Sequence, residues 1–366
     1  MDSTFGGIYK GKRVLLTGHT GFKGSWLTLW LQELGAEVIG YSIGVPTHPS
    51  HAELLNLQMV EVIGDILDEE KIFTSIKQYQ PDIVFHLAAQ AIVRTSYRDP
   101  VRTFATNVMG TANVLEACRK TEDVKAIVNI TSDKCYQNRE LPRGYTEEDP
   151  MGGDDPYSAS KGAAEVISQS FRKSFFNLDD YGQRHHTLLA NVRAGNVVGG
   201  GDWAQDRLIP DIMRAASQSQ TVTVRNPQAV RPWQHVLEPL SGYLHLGWRL
   251  LEGKKEFADN WNFGPLDGTS LSVEEVLNIA KQHWDKITHT VEAPEAHMRE
   301  TSMLMLDSTK ARKDLHWQSI WDTTKTFAET IEWYKSFYTN NKVLSLDDLQ
   351  TYVTDAKAAK VEWAIT

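Results

Sequence analysis

The stretch Arg13-Val14-Leu15-Leu16-Thr17-Gly18-His19-Thr20-Gly21-Phe22-Lys23-Gly24 decides the fold of this chain. A short apolar run, typical of a buried strand, leads into glycines with the spacing G-x-x-G-x-x-G and then into a helical pattern. Glycine permits a tight turn and lets backbone amides at a positive helix N-terminus approach a pyrophosphate. The alternative is a strand-to-helix turn that only needs glycine, but the position after the first strand favours a dinucleotide cradle. The cradle residues predicted to bind this cofactor are Gly18, Thr20, Gly21, Phe22, Lys23 and Gly24.

The first half of the chain alternates strand-like and helix-like segments. Strands separated regularly by helices predict a parallel sheet with right-handed crossovers, so the fold class is α/β, a doubly wound Rossmann-type sheet. The predicted strands are residues 13–17, 37–41, 60–63, 82–87, 124–131 and 187–192, and the predicted helices are 23–34, 68–79, 99–119 and 157–175.

The texture changes after Arg193, where glycine and proline become frequent. We therefore predict a dinucleotide domain over residues 1–192 and a smaller, mixed substrate domain over 193–366. A segment near 233–264 is a candidate for returning to the first domain. In the second domain, a capping box at Ser272 predicts a helix to about Trp284, and the tail over 344–364 has the pattern of one amphipathic helix.

Composition excludes several classes of protein. The chain of 366 residues has a net charge of −9, which argues against a broad nucleic-acid surface but allows a local basic pocket. No apolar run approaches the roughly 18 residues of a membrane span, and the N-terminus lacks the pattern of a signal peptide. Cys118 and Cys135 are the two cysteines and form no CxxC motif, which fits a reducing cytoplasm. No metal site is expected.

Two further segments are predicted to line the cofactor site. Asp65 and Ile66 follow the third strand, where a carboxylate could accept the adenine amino group; the alternative is an aspartate that begins a helix. The small residues of Leu87-Ala88-Ala89 at the end of the fourth strand suit close passage of a cofactor, although tight packing would also select alanine. The second strand ends in Tyr41-Ser42, with neither an acidic nor a basic residue, so this position does not separate NAD from NADP.

Tyr157 and Lys161 are four residues apart and share one helix face. A lysine cation close to a phenol favours the phenolate, which can take a proton from an alcohol while hydride leaves the carbon. Lys161 can also hold the nicotinamide ribose. The alternative is an exposed helix start, but the position shortly after Ser132 favours catalysis, and Ser132 could bond the same alcohol.

Asp133 and Lys134 follow Ser132 directly. A buried carboxyl can act as an acid and a buried lysine as a base, which is what elimination of water beside a ketone requires. In isolation, a solvated Asp–Lys pair at a strand end is the alternative. Neighbouring strand residues point to opposite faces, so both side chains reach one pocket only if the strand ends here.

Taken together, these residues resemble the extended short-chain dehydrogenase/reductase family and, within it, the nucleotide-sugar 4,6-dehydratases, over nearly the whole chain. The likeness is strongest to bacterial members that act on CDP-D-glucose. The runs that carry it include 18–26, 129–136, 200–204, 206–210, 231–236 and 261–265. The resemblance implies NAD+ as cofactor, CDP-glucose as substrate, a cytoplasmic homodimer paired through helices 99–119 and 157–175, and a place in deoxysugar and O-antigen biosynthesis.

The resemblance also implies a mechanism. Tyr157 removes the 4-hydroxyl proton as hydride leaves C4, Lys134 assists removal of the C5 proton, Asp133 protonates the departing 6-hydroxyl, and hydride returns to C6. The dTDP-sugar relatives carry glutamate where this chain has Lys134. A nucleotide-sugar 4-epimerase would use Tyr157 and Lys161 without needing Asp133 and Lys134, and a non-catalytic dinucleotide sensor would need none of these four residues.

Substrate contacts follow from the same resemblance. Asn196, Arg207 and Arg231 are expected on the diphosphate, where the planar guanidinium suits phosphate oxygens. Gln90 is expected on the hexose, and Leu208 and Ile209 on the nucleotide. Near Arg299, related enzymes tend to have ring-bearing residues that this chain lacks, so the expected substrate contact of Arg299 is open, as is the identity of the nucleotide.

Overall fold

The computed structural model of the chain describes residues 3–224, 226–265, 270–292 and 304–366. Seven parallel strands form its central sheet, joined by helices on both faces. The described residues contain thirteen strands, of which β1 to β6 and β11 form the central sheet: β1 Arg13–Thr17, β2 Glu37–Ser42, β3 Val60–Ile63, β4 Ile83–His86, β5 Ala126–Ile130, β6 Leu188–Ala194, β7 Asn196–Val198, β8 Thr221–Val224, β9 Val230–Arg231, β10 Trp233–His235, β11 Asn260–Phe263, β12 Leu271–Ser272 and β13 Thr288–Val291.

Fourteen α-helices lie in the described residues. They are α1 Phe22–Glu33, α2 His51–Leu55, α3 Glu69–Tyr79, α4 Val93–Arg98, α5 Pro100–Phe104, α6 Gly110–Arg119, α7 Pro156–Ser174, α8 Leu208–Ser217, α9 Leu237–Leu251, α10 Val273–His283, α11 Thr309–Asp314, α12 Thr323–Asn340, α13 Ser345–Ala358 and α14 Glu362–Ile365.

The sheet has the spatial order β3-β2-β1-β4-β5-β6-β11, and its strands pair in parallel. Both faces are buried, as alternate residues of β1 show: Val14 and Leu16 pack in one apolar cluster with Trp26 of α1, and Leu15 packs in another with Ile72 of α3. Parallel strands covered on both faces appear in a sequence as near-continuous apolar runs. The predicted doubly wound fold is therefore confirmed.

The strand order reverses between β1 and its two neighbours, β2 and β4. Ligands of open α/β sheets bind at such a switch point, outside the carboxyl ends of the strands. The glycine-rich turn after β1 lies there, and so do the residues that follow β4. The topology therefore brings the predicted cradle and the 87–90 segment to the same crevice.

The second half of the chain contains short strand pairs, namely β7 with β10, β8 with β13 and β9 with β12. Its α10 begins with the predicted capping box, in which the Ser272 hydroxyl accepts from the Glu275 amide and the Glu275 carboxylate accepts from Ser272. Strand β11 pairs with β6 at the edge of the large sheet. The bounds of the two domains stay a prediction.

The predicted helix 99–119 is confirmed as one helical run over residues 100–119, in which a π-helical turn over Ala105–Met109 joins α5 to α6. One helix prediction was wrong. The expected single tail helix 344–364 is interrupted between α13 and α14, where Lys360 has a φ of +55°. Among the described residues, no helix is long and apolar enough to cross a membrane.

Candidate active site

The backbone of the glycine-rich turn packs closely against itself and against the segment after β4. Gly18 has a φ of +74°, and a β-carbon there would lie 2.8 Å from the Ala88 amide nitrogen. A β-carbon on Gly24 would lie 2.1 Å from the Gly18 carbonyl oxygen. Gly18 and Gly24 therefore have to be glycines, and the turn brings the amides at the start of α1 to the switch point, as a pyrophosphate requires.

Neighbouring segments fix the cradle in place. The Thr17 hydroxyl accepts from the amides of Leu87 (3.1 Å) and Ala88 (3.2 Å), which ties the ends of β1 and β4 together. Thr20 donates its hydroxyl hydrogen to the Gly44 carbonyl at 2.7 Å, and Phe22 is the first residue of α1. Ala89 follows directly in the 87–89 segment. These residues thus form one wall of the predicted cofactor site.

Asp65 and Ile66 lie beyond β3, on the same side of the crevice. The Asp65 carboxylate accepts from the Leu67 amide at 3.0 Å and pairs with the Arg102 guanidinium. Ile66 is buried against Gly110. The Asp65 side chain is therefore engaged within the protein, and its contact with adenine stays a prediction.

Tyr157 and Lys161 project from the first turns of α7. Asp155 caps this helix by accepting from the Ser158 amide at 2.9 Å, and Pro156 is its first residue. Both features are typical helix starts and place Tyr157 in the first turn. The Tyr157 amide donates to the Ser96 hydroxyl of α4 at 3.1 Å. Tyr157 and Lys161 are buried, which rules out the exposed helix start.

Strand β5 ends at Ile130, and Asp133–Cys135 forms a 3₁₀ turn. The Ser132 hydroxyl caps this turn by accepting from the Lys134 amide at 3.2 Å, and it donates to Asp133 Oδ1 at 2.8 Å. The Lys134 Nζ lies 3.5 Å from Asp133 Oδ2. The turn, unlike an extended strand, brings both side chains to one side; the Asp133 carboxylate is buried, whereas the Lys134 side chain is 23% exposed.

Burial dominates the electrostatics of the two helix residues. It raises the pKa of Tyr157 to about 12, while a hydrogen bond with Ser132 acts in the opposite direction. Burial also lowers the pKa of Lys161 to about 8. The charges of Asp133 and Arg207 are among the influences on the Tyr157 pKa, so these groups surround one centre. The phenol needs additional positive charge nearby to lose its proton at neutral pH.

Lys23 reaches beyond the cradle into this centre. Burial lowers the pKa of Lys23 to about 7, helped by the positive charges of Arg207 and Lys161 and opposed by Asp133. Its Nζ lies 6.0 Å from the ring centroid of Tyr243 on α9. Sequence reasoning assigned Lys23 to the cofactor only, and it missed Tyr243, whose buried hydroxyl has no hydrogen-bond partner in the described residues.

The opposite wall carries the predicted diphosphate residues. Asn196 is the first residue of β7, and its buried side-chain nitrogen has no hydrogen-bond partner in the described part of the chain. Arg207 precedes α8 and donates from Nη1 to Asp202 Oδ2 at 2.9 Å. A buried amide without a partner and a guanidinium are both groups that suit phosphate oxygens, so Asn196 and Arg207 stay candidates for the diphosphate.

The structure gives less direct support for the other predicted substrate contacts. Leu208 and Ile209 open α8, which has no side-chain cap, and Arg231 lies on β9. Gln90 stands at the 87–90 segment, but its side chain accepts from the Ile92 amide and donates to Thr103. Arg299 lies outside the described residues.

Relatives of known activity span nearly the whole chain. The family model described as GDP-mannose 4,6 dehydratase matches residues 15–330. The CDP-glucose 4,6-dehydratase of Salmonella typhimurium strain LT2 is 50% identical over 92% of this chain and 94% of its own length. The UDP-glucose 4-epimerase of Mycoplasma pneumoniae is 24% identical over 89% of this chain and 97% of its own length.

Solved structures share the fold at low sequence identity. DesIV, a dTDP-glucose 4,6-dehydratase from Streptomyces venezuelae with NAD and TYD bound, has a TM-score of 0.74 at 21% identity, covering 88% of this chain and 97% of its own. The UDP-glucose 4-epimerase of Thermotoga maritima with UDP-glucose has a TM-score of 0.75 at 22% identity, covering 88% and 99%. The match to the family over residues 15–330 and the 50% identity to the Salmonella protein show that this chain belongs to the nucleotide-sugar dehydratases of the GDP-mannose 4,6 dehydratase family, within the extended short-chain dehydrogenase/reductases.

Proposed function

We propose that this protein is an NAD-dependent hydro-lyase that converts CDP-D-glucose into CDP-4-keto-6-deoxy-D-glucose and water. One observation supports the proposal: the 3₁₀ turn after β5 holds the Lys134 amine 3.5 Å from the buried Asp133 carboxylate, whose charge acts on Tyr157. Transient oxidation needs Tyr157, and elimination needs an acid and a base beside it. The choice of CDP-glucose rests on the 50% identical Salmonella relative.

The cradle fits a dinucleotide, because Gly18 and Gly24 leave no room for a β-carbon and so let the α1 amides face the pyrophosphate. Gly21, Thr20 and the 87–89 segment would hold the rest of the cofactor, and Lys161 the nicotinamide ribose. NAD+ bound there supplies the hydride acceptor for C4 and, once reduced, the hydride donor for C6.

Tyr157 takes the proton of the 4-hydroxyl as the C4 hydride leaves. Its pKa of about 12 keeps the phenol protonated at neutral pH, so the Lys161 cation one helical turn away would have to favour the phenolate. Ser132 acts to lower the pKa of Tyr157 and would orient the same alcohol. The resulting 4-keto group acidifies the C5 hydrogen.

Elimination then occurs between C5 and C6. Lys134 accepts the C5 proton, Asp133 donates a proton to the 6-hydroxyl, and the C6–O bond breaks with release of water. When hydride is returned to C6, Lys134 would give its proton back to C5, and the proton that Tyr157 took would pass to Asp133, which completes the 4-keto-6-deoxy sugar. Burial around Ser132 and Asp133 keeps bulk water from the unsaturated intermediate.

Binding of the substrate is assigned to the opposite wall. Asn196, Arg207 and Arg231 would grip the diphosphate, Leu208 and Ile209 would pack on the nucleotide, and Gln90 would meet the hexose. We place these residues in a substrate domain over 193–366, with 233–264 returning to the dinucleotide domain over 1–192, because β11 pairs with β6.

The experiment is incubation of the protein and NAD+ with CDP-, UDP-, GDP- and dTDP-glucose, followed by mass spectrometry of each product. We expect a product lighter than CDP-glucose by one water molecule. An isomer of unchanged mass would identify a 4-epimerase instead, and a product from dTDP-glucose alone would overturn the choice of nucleotide. A protein that binds NAD+ without turning over any of the four sugars would be a sensor.

We also propose a cytoplasmic homodimer. Large apolar side chains are exposed along α4, α5, α7 and the turn between α5 and α6, an area that pairing of two copies would cover: Tyr97, Val101, Phe104, Met109 and Val166. Both cysteines are free and buried, as suits a reducing compartment. Sedimentation at micromolar concentration should give a dimer, and Val101→Glu should shift it toward monomer; a monomeric wild-type protein would contradict the pairing.

A further inference from the structure

The loop that presents Arg207 is fixed at both of its ends. At the beginning, the Asp202 amide donates to the Tyr334 hydroxyl of α12 at 2.9 Å, and Tyr334 donates back to the Asp202 carbonyl. At the end, Asp206 has a φ of +62°, in the left-handed region that aspartate adopts more readily than most residues other than glycine. Its side chain pairs with a residue of another element.

That partner is Arg94 of α4. The Arg94 Nη1 lies 3.3 Å from Asp206 Oδ1, and the two side chains are 22% and 27% exposed. The contact joins α4, which follows the 87–90 segment, to the loop that carries Arg207. Asp206 pairs with Arg94 in this arrangement, and Arg207 pairs with Asp202 instead.

Helix α4 also supports the catalytic helix. Ser96 is fully buried; its hydroxyl accepts from the Tyr157 amide at 3.1 Å and donates to the Val93 carbonyl at 2.7 Å. Arg94 and Ser96 are two residues apart on α4. Through Ser96 the helix contacts the start of α7, and through Arg94 it contacts the loop that carries Arg207. The helix therefore links the start of α7, which carries Tyr157, to the loop that carries Arg207.

We propose that Arg94 is a positioning residue for substrate binding: its ion pair with Asp206 holds the 202–207 loop so that Arg207 meets the diphosphate while Tyr157 meets the sugar. This inference rests on the proposed function. The contact is a single ion pair of partly exposed groups, so it adds little to the stability of the fold. Its effect lies in preorganising the cleft, which lowers the free-energy cost of ordering the loop when the nucleotide binds.

Steady-state kinetics with CDP-glucose and calorimetric binding of CDP test this role. Arg94→Ala and Asp206→Ala should each raise KM and weaken CDP binding about tenfold, with kcat within about threefold of the wild type, because the diphosphate is remote from the reacting carbons. Thermal unfolding should be unchanged. Arg94→Lys should retain most of the affinity, since one point charge satisfies a contact through one nitrogen.

The double variant R94D/D206R separates positioning from direct binding. Reversing the pair should restore KM to within about threefold of the wild type. Recovery supports the ion pair, whereas a double variant as weak as the single ones overturns it, because Arg94 would then touch the substrate itself. Unchanged KM and CDP affinity in Arg94→Ala also overturn it.

A matched control and an independent readout complete the test. Lys325→Ala removes a partly exposed ion pair between α12 and α13 and should leave KM unchanged. If the wild type released no dehydrated product from CDP-glucose, the proposed function would fail, yet the calorimetric comparison of Arg94→Ala with the wild type would still decide whether the pair orders the loop.

Discussion

At the scale of single residues, Lys134 owes its proposed role to the early end of β5. An extended chain would send Asp133 and Lys134 to opposite faces, but the 3₁₀ turn capped by Ser132 brings them within 3.5 Å. An amine next to a carboxyl can serve elimination only if both groups face the same sugar. The turn therefore brings the two side chains together, which the order of the residues along the chain does not show.

Lys134→Met keeps the apolar stem of the side chain and removes the amine. We expect dehydration of CDP-glucose to fall at least about 100-fold, the usual contribution of a general base. In D₂O, incorporation of deuterium at C5, followed by mass spectrometry, should fall in parallel, while binding of NAD+ persists. Lys342→Met, at an exposed ion pair, is the control. Normal turnover in Lys134→Met would remove this amine from the mechanism.

The sequence predicted the residues of the candidate active site better than the directions in which their side chains point. Tyr157 and Lys161 were predictable because a helix fixes their spacing, and Asp155-Pro156 marks the helix start. Lys23 was predicted at the cradle, but its amine lies among Lys161, Asp133 and Arg207. A long flexible side chain can serve either neighbour, so only the packing of α9 against α1 shows its direction.

At the scale of elements, the break between α13 and α14 is a Schellman motif without glycine. The Val361 amide donates to the Ala356 carbonyl at 3.3 Å and the Lys360 amide donates to the Lys357 carbonyl at 3.0 Å. Lys360 holds the left-handed position with a φ of +55°. Because no glycine marks the site, the amphipathic pattern continued through it and predicted one helix.

Lys360→Gly should stabilise the protein, because glycine adopts the left-handed conformation without the steric penalty of a side chain. We expect the free energy of unfolding to rise by up to about 1 kcal/mol, measured by urea titration. Lys357→Gly, three residues earlier inside α13, should lower it by about 0.5–1 kcal/mol. Equal effects of the two substitutions would contradict the role of backbone conformation.

At the scale of the whole molecule, buried histidines couple stability to pH. His51 is buried between two hydroxyls, with Ser25 at 2.7 Å from Nδ1 and Ser345 at 2.7 Å from Nε2, and burial lowers its pKa to about 3. The pKa values of His86 and His235 are lowered to about 3 for the same reason. An unfolded chain binds these protons below about pH 6.5, whereas the folded protein does not.

The contribution of these histidines to the free energy of unfolding should therefore be fully present above pH 6.5. It should fall as the pH decreases toward 3. Each histidine adds a slope of about 1.4 kcal/mol per pH unit in that range. His51→Gln should reduce the slope between pH 6 and pH 4 by roughly that amount in denaturant titrations. Parallel curves for the two proteins would show that His51 is protonated in the folded state.

The large sheet was predictable because its parallel strands are buried on both faces and appear as apolar runs. The short strand pairs after Arg193 were not, since β9 and β12 have two residues each and exist only through pairing with a distant segment. The same holds for the ion pair of Arg94 with Asp206, which joins residues far apart in the chain. Local sequence patterns predict elements that local interactions determine, and they do not predict contacts between segments far apart in the chain.

The position of β11 at the sheet edge has a consequence for synthesis on the ribosome. Strands β1 to β6 emerge first, and β6, buried along its whole length in the finished protein, has an unpaired edge until residues 260–263 leave the exit tunnel. At about 5–20 residues per second, that interval lasts on the order of seconds. An unpaired apolar strand edge is a template for aggregation. Nascent chains of this protein thus need protection from one another while the segment from β7 to α9 is being translated.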